Sequence, residues 1–447
     1  MKKRLLASTL AAVLLASSLA GCGKKAETTD ATTAGAEATT KAEAADTTAA
    51  SGDKVTLNFT WWGNQLRNDV TKQAVDLYMS QNPGVEIKVE FTDWTGYWDK
   101  LSAMAAGGNL PDILQMDYSY LNQYQQSGQL ANLSEFIDSG VIDTTNIPDS
   151  VIESGSIEDK CYAMSIGSNA LVMIYDKAVV EEAGVDLSKQ LTFEELYEVS
   201  KTIYEKTGVK GAFDGQINMM AMVARGNGSY MFDELRNGTT DSMKVYFEAV
   251  EKFAKAEFAV SPDLLAEKNM DIVETKPIID GTTWNDFALS NQFIAVSNTA
   301  GRELGMTYYP IVDNSKTQSL YLKPGQFLSV AETSQNKEAA AKFIDWFVNS
   351  IECNEILMAE RGIPVNTEVA AAIKPKAEAI SQSVFDYISQ VGEIATPIDV
   401  PDPSGKGEVE ALGKTMVEAI RYGDATAEEA AEQFVAESKK ILEEAAK

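Results

Sequence analysis

Three short stretches concentrate aromatic, amide and carboxylate side chains: Trp61-Trp62-Gly63-Asn64, Asp93-Trp94, and Asp117-Tyr118-Ser119-Tyr120. Flat rings offer apolar faces, amides both donate and accept, and carboxylates accept hydrogen bonds. Such a set suits non-covalent capture of a polar molecule. The 447 residues include no histidine. That removes Ser/His/Asp and Cys/His nucleophile systems in their usual form, and His-based zinc or iron sites with them. No metal and no cofactor is expected. A glycosidase needs only two carboxylates, so an extracellular glycoside hydrolase stays open as a rival, but no spacing among the 66 acidic residues singles out a pair. Gly407 and Gly413-Lys414-Thr415 approach a phosphate loop, yet five residues separate the glycines where four are required, and no apolar strand precedes them.

The elements that must carry the three stretches are legible from periodicity. Val55, Leu57 and Phe59 alternate with polar residues, as in a half-buried strand. Val70, Ala74, Leu77 and Tyr78 recur at helical spacing until Asn82-Pro83-Gly84. Val85, Ile87, Val89 and Phe91 alternate again, a helix fits Tyr97 to Ala106, and Ile113-Leu114 reads as a short apolar third strand. This β-α-β-α-β order predicts an open parallel sheet with covering helices. Ligands of such sheets lie beyond the carboxyl ends of the strands, where all three polar and aromatic stretches fall. Strand alternation places only one of Trp61 and Trp62 toward that edge; Trp62 is expected there, whereas Trp98 and Trp346 sit on helix faces and are expected in the core. Asp117 has a second possible role as a helix cap. Further on, Ala170 to Tyr175 reads as a buried strand. Thr192 with Glu195, and Thr426 with Glu429, read as capping boxes.

The N-terminus addresses the chain elsewhere. Lys2, Lys3 and Arg4 precede an apolar stretch from Leu5 to Leu19 that reads as a secretion signal. The sequence Leu19-Ala20-Gly21-Cys22 resembles the lipobox of bacterial lipoproteins, which implies cleavage after residue 21 and acylation of Cys22. Residues 22–54 then form a tether poor in apolar residues, expected to stay disordered. With a net charge of −28 the chain is a poor partner for nucleic acid. The acyl anchor, not charge, would hold it on the outer face of the membrane. Cys161 and Cys353 are expected to be small buried hydrophobes, although outside the cell they could pair.

Several segments, in order, resemble one family: Leu110-Pro111-Asp112-Ile113; Tyr124 with Gln126-Ser127-Gly128; Ser165 to Lys177; Gly281 to Trp284; Lys337 to Val348; and Arg361-Gly362-Ile363-Pro364-Val365-Asn366. Together they are similar to the extracellular solute-binding proteins of ABC transporters, in the maltose-binding-protein-like group. The resemblance implies an α/β, two-lobed periplasmic-binding-protein-like fold of type II, each lobe a mainly parallel sheet flanked by helices, with hinge strands between. It implies lobe 1 at 55–164 plus 308–350 and lobe 2 at 165–307 plus 351–447, with crossings near Met164, Tyr308 and Ser350. It further implies a monomer without enzymatic activity that binds a carbohydrate ligand between the lobes and docks on ABC permease subunits. Carried onto this sequence, the family's contact positions are Trp62, Asn64, Trp94, Asp117, Tyr118, Tyr120, Asn169, Trp284, Asp286 and Arg361. The aspartate–arginine pair that follows the third strand in maltose-binding protein is replaced here by Ser119 and Tyr120, which argues against maltose itself. A non-sugar solute is the alternative within the family. Tyr308-Tyr309 resembles the adjacent tyrosines of ferric-ion binding proteins, but on a hinge strand and without histidine iron is not expected.

Overall fold

A computed structural model describes residues 54–63, 65–268 and 272–446. The signal segment, Cys22, the tether up to residue 53, and Asn64 lie outside the described residues. Among the described residues, no helix is long and apolar enough to cross a membrane.

The first strands follow the sequence periodicity. β1 (Val55–Trp62) leads into α1 (Gln65–Gln81), β2 (Val85–Thr92), α2 (Trp94–Ala106), β3 (Ile113–Met116) and α3 (Tyr118–Gln126). β1 runs on through Trp62, three residues beyond the alternation seen in the sequence. β2 and β3 pair with it in parallel, from Val55↔Val85 to Trp62↔Thr92 on one side and Phe59↔Ile113 on the other. Three short passes follow: β4 (Met164–Ser165), β5 (Ser168–Asn169) and β6 (Leu171–Asp176). Much later come β7 (Asn285–Leu289), β8 (Leu304–Tyr308), β9 (Lys323–Pro324) and β10 (Phe327–Val330).

Two main sheets result. The first has the order β2-β1-β3-β10-β4, with β10 antiparallel to both neighbours. The second has the order β8-β6-β7. Its three strands are antiparallel, against the mainly parallel sheet expected, because β7 and β8 both run toward the end at which β6 begins. Parallel bridges at Lys210↔Thr283 and Gly211↔Ala259 extend this sheet beyond β7.

Between the sheets three chain passes lie side by side. β5 pairs with β9, and Ser168 bridges Ile363. The return crossings come later than expected. Tyr308 is still paired with Val172 in the second sheet, and the chain after it stays there because Ile311 accepts from Phe193, Ser319 from Arg225 and Leu320 from Thr396. The crossing falls at 323–326. Likewise the helix Ile351–Leu357 packs on α1, and Arg67 pairs with Glu360 at 2.9 Å, so the third crossing comes only after residue 360.

The apolar core follows the strand pattern. Leu57, Phe59 and Trp61 point to one face, where Tyr78 and Phe343 cover them, and Trp62 joins a separate cluster with Tyr97, Trp98, Leu101 and Tyr124 on the other. Both capping boxes form: Thr192 with Glu195 and Thr426 with Glu429 satisfy each other's backbone N–H groups. Gly407 and Gly413 lie within the helix Lys406–Tyr422, which leaves no loop there to cradle a phosphate. Cys161 and Cys353 are both buried and unpaired.

Candidate ligand-binding site

The carboxyl edge of the first sheet carries a wall of rings. Trp61 turns inward, donates from Nε1 to Asn68 at 2.9 Å and stacks on Phe91 at 5.2 Å. Its neighbour Trp62 takes the opposite face, with ring centroids 5.0 Å from Trp94, 5.1 Å from Tyr97 and 5.5 Å from Trp98. Tyr120 lies flat on Trp98 at 3.7 Å and reaches Trp94 at 6.1 Å. Two aspartates fix these rings by capping the helices that bear them. Asp93 accepts from Gly96 N at 3.0 Å, and Asp117 from Ser119 N at 2.9 Å. Trp98 is buried, whereas Trp94 keeps 43% of its surface exposed. Trp94 is thus the ring of this wall most open to a ligand.

A polar cluster is joined to the same edge. Arg225, near the end of the helix Ile217–Gly226, is 6% exposed. It donates to the carbonyls of Ser319 (2.8 Å) and Pro397 (2.8 Å), to Thr396 Oγ1 (2.7 Å) and to the Asp399 carboxylate, and it lies 4.8 Å over the Tyr321 ring. Nη1 and Nη2 therefore hold the segment Thr396–Asp399 in place, while Nε ties it to Ser319. The Tyr118 hydroxyl donates to the backbone carbonyl of Asp399 and ties that segment to the first sheet. Burial and the nearby charges of Asp399 and Asp402 keep the Tyr118 and Tyr230 hydroxyls protonated well above the usual phenol range. Burial also pushes Tyr321 up to about 12, against the lowering effect of Arg225. Among the described residues the buried Tyr230 hydroxyl finds no hydrogen-bond partner. Neutral phenols of this kind donate one hydrogen bond and accept others, as sugar hydroxyls require. Three cations around the cluster are each paired: Arg225 with Asp399, Lys406 with Asp402 at 2.8 Å, and Arg236 with Asp233 at 3.1 Å.

Of the residues expected at the site, Trp62, Trp94, Tyr118 and Tyr120 come together, with Asp117 as a cap beneath them. Asn169 sits on the hinge strand β5 opposite Lys323. Trp284, Asp286 and Arg361 are placed differently. The register of β7 explains the first two. Leu289 pairs with Leu171 at the hinge end of β6, but Asn285 pairs with Tyr175 at the far end. Trp284 precedes Asn285, is fully buried, and lies roughly 15 Å along the strand from the hinge. Its polar neighbours are absorbed locally, since Asn285 binds both backbone groups of Ala212 and Asp286 pairs with buried Lys276 at 2.8 Å. Arg361 is 2% exposed and bound to Gln115 and Thr71, one layer behind the wall.

Sequence reading did not find Arg225, Tyr230, Tyr321, Asp399 or Asp402. Pro397, Pro401 and Pro403 bracket the two aspartates. Three prolines so close together stiffen a segment, and that signal would have marked it as a presenting loop.

A crossed pair of α/β sheets, with aromatic strand exits on one side and a clamped polar segment on the other, also has a match in sequence. The sequence profile of the family described as bacterial extracellular solute-binding protein matches residues 73–382. This chain belongs to that family. The solute-binding protein is 24% identical over 322 residues to a maltotriose-binding protein of Pyrococcus abyssi, covering 69% of this chain and 66% of that one. It is 22% identical over 354 residues to a maltooligosaccharide ABC transporter solute-binding lipoprotein of Streptococcus pneumoniae, covering 76% and 80%. A solved family 1 extracellular solute-binding protein of Alicyclobacillus acidocaldarius superposes with a TM-score of 0.81 at 27% identity, over 88% of this chain and 99% of that one. The fold of this solute-binding protein is therefore the periplasmic-binding-protein-like one.

Proposed function

We propose that this solute-binding protein captures a neutral sugar or oligosaccharide between its two sheets and delivers it to the permease of an ABC importer, without performing chemistry on it. One observation carries the reading: an aromatic wall open at Trp94 is joined through Tyr118 to a polar segment rich in hydroxyl and carboxylate groups. Rings stack on the C–H faces of a sugar, and pre-positioned donors and acceptors meet its hydroxyls. The paired state of Arg225, Lys406 and Arg236 supports a neutral ligand over an anionic one. The relatives named for maltotriose and maltooligosaccharide support the same ligand class. The lipoprotein name of the pneumococcal relative supports attachment through Cys22 on the outer face of the membrane. The body is proposed to work as a monomer.

The test is a thermal-shift screen of the protein against neutral and uronate oligosaccharides. A ligand of the native state raises the midpoint by mass action, by about 2.7 kcal/mol of stability at a hundredfold excess over Kd. At least one neutral oligosaccharide should raise the midpoint and uronates should not. A flat response to every neutral sugar would overturn the proposal.

A further inference from the structure

Behind the aromatic wall, one buried cation touches every pass of the chain between the sheets. Arg361 lies on the third crossing, two residues before Ile363, which exchanges both backbone hydrogen bonds with Ser168 of the first. Its carbonyl is packed so closely that a Cβ on Gly167 of the first crossing would lie 2.3 Å from it, and one on Gly325 of the second 2.5 Å. Only glycine allows that approach. The side chain turns the other way, into the first sheet. One guanidinium nitrogen donates to Gln115 Oε1 on β3 and reaches Gln326 Oε1 of the second crossing at 3.5 Å; the other donates to Thr71 Oγ1 on α1 at 2.8 Å. Among the described residues no carboxylate hydrogen-bonds it, and Nε has no partner.

Gln115 is fully buried and passes this contact on. Its Nε2 donates to the carbonyl of Trp62 at 3.4 Å, and its own carbonyl accepts from Tyr97 Oη at 2.6 Å. Trp62 and Tyr97 are two rings of the wall, 5.1 Å apart. A desolvated cation is costly when the carboxylate that attracts it, Glu360, is already paired with Arg67 at 2.9 Å. The Arg361 fork spans the crossing and the wall.

We infer that Arg361 is a positioning residue that, through Gln115, sets the Trp62 end of β1 and the Tyr97 ring according to the state of the hinge, so that the aromatic wall is aligned for a sugar only when the crossings are in their closed arrangement. This rests on the carbohydrate-binding reading above.

Two variants separate positioning from mere support. Gln115→Glu keeps an acceptor for Arg361 and loses the donor to Trp62. Arg361→Met loses the hinge side of the contact. With maltotriose as probe in titration calorimetry, Gln115→Glu should bind about tenfold more weakly than the native protein while its unliganded thermal midpoint stays unchanged or rises. Arg361→Met should weaken binding at least as much and also lower the midpoint. In the unliganded protein, both should speed amide hydrogen exchange over residues 60–63 relative to the native chain. For Gln115→Glu, a native-like affinity, or a loss of affinity matched by a loss of midpoint, would overturn the inference. If the native protein binds neither maltotriose nor any other neutral oligosaccharide, the proposed function fails instead. The exchange measurement alone then decides the positioning role, and unchanged exchange in both variants would end it.

Discussion

The Tyr118 hydroxyl donates to the backbone carbonyl of Asp399. Tyr118 opens α3 at the carboxyl edge of the first sheet, and Asp399 lies on the segment that Arg225 clamps from the other side. A hinge motion that parts the two sheets is expected to break this bond, and closing to remake it. Tyr118→Phe keeps the ring against Phe327 (6.3 Å) and removes only the hydroxyl. It should cost about 1 kcal/mol of closed-state stability, which is roughly a fivefold weaker ligand affinity. The midpoint of the unliganded open form should hardly move. Calorimetric titration against a sugar binder decides the matter, and an unaltered affinity would mean that the bond is not part of the liganded state.

Arg225 holds the presenting segment with three hydrogen bonds, one of them to Asp399, and a fourth reaches the Ser319 carbonyl. Replacing it by methionine keeps much of the volume but leaves the Asp399 carboxylate without its cation. Breaking a buried pair from one side costs about 3–5 kcal/mol. Asp399 retains 28% side-chain exposure, so the lower end, about 3 kcal/mol, is expected for Arg225→Met in urea unfolding. The double variant Arg225→Met/Asp399→Asn should recover part of that loss, because no uncompensated charge remains. Additive losses in the double variant would show that the pair is not coupled.

Two tryptophans expected at the site should now behave in opposite ways. Trp94 is the open ring of the wall, and Trp94→Ala should weaken sugar binding by about 2 kcal/mol, roughly thirtyfold, with little change in stability. Trp284 is sealed into the second sheet's core, and Trp284→Ala should destabilise the protein by about 3–5 kcal/mol through the cavity it leaves. Once its lower stability is allowed for, the Trp284 variant should bind normally. Parallel thermal-shift and titration series on the two variants provide the comparison. A selective binding defect in the Trp284 variant would return that residue to the site.

The contrast between these two residues shows what local sequence can and cannot reveal. Trp62 was legible because β1, α1 and β2 follow one another, so chain order alone tells which end of the strand is the exit. Alternation then separates Trp62 from Trp61. For Trp284 the same reasoning fails. β7 is antiparallel to β6, and whether a polar-flanked tryptophan stands at the entry or the exit of such a strand depends on a register set by residues more than a hundred positions away. The polar neighbours that suggested a ligand face are satisfied by Ala212 and Lys276 instead. The clamp between Arg225 and Asp399 was invisible for a related reason: 174 residues separate its partners, and neither lies in a motif of its own. The crossing points shifted because the chain after β8 stays with the second sheet through backbone bonds that leave no signature in residue type.

The two cysteines of the body give a further test, one independent of any ligand. Cys161 and Cys353 are 2% and 0% exposed. Burial pushes the Cys161 thiol up to about 11 and the Cys353 thiol higher still, so both are neutral at pH 8. The thiolate is the reactive form, and a buried thiol is both protonated and out of reach. In a Cys22→Ser background, a small thiol reagent at pH 8 should label neither residue of the native protein and both after denaturation in urea without reductant. The sign of the linked pH effect follows. The native state holds these protons to higher pH than the unfolded chain does, so the stabilisation is complete below the ordinary thiol value. It fades as pH rises from about 9 through about 11. Prompt labelling of the native protein would contradict this burial, and absence of free thiols after denaturation would mean that the two had paired.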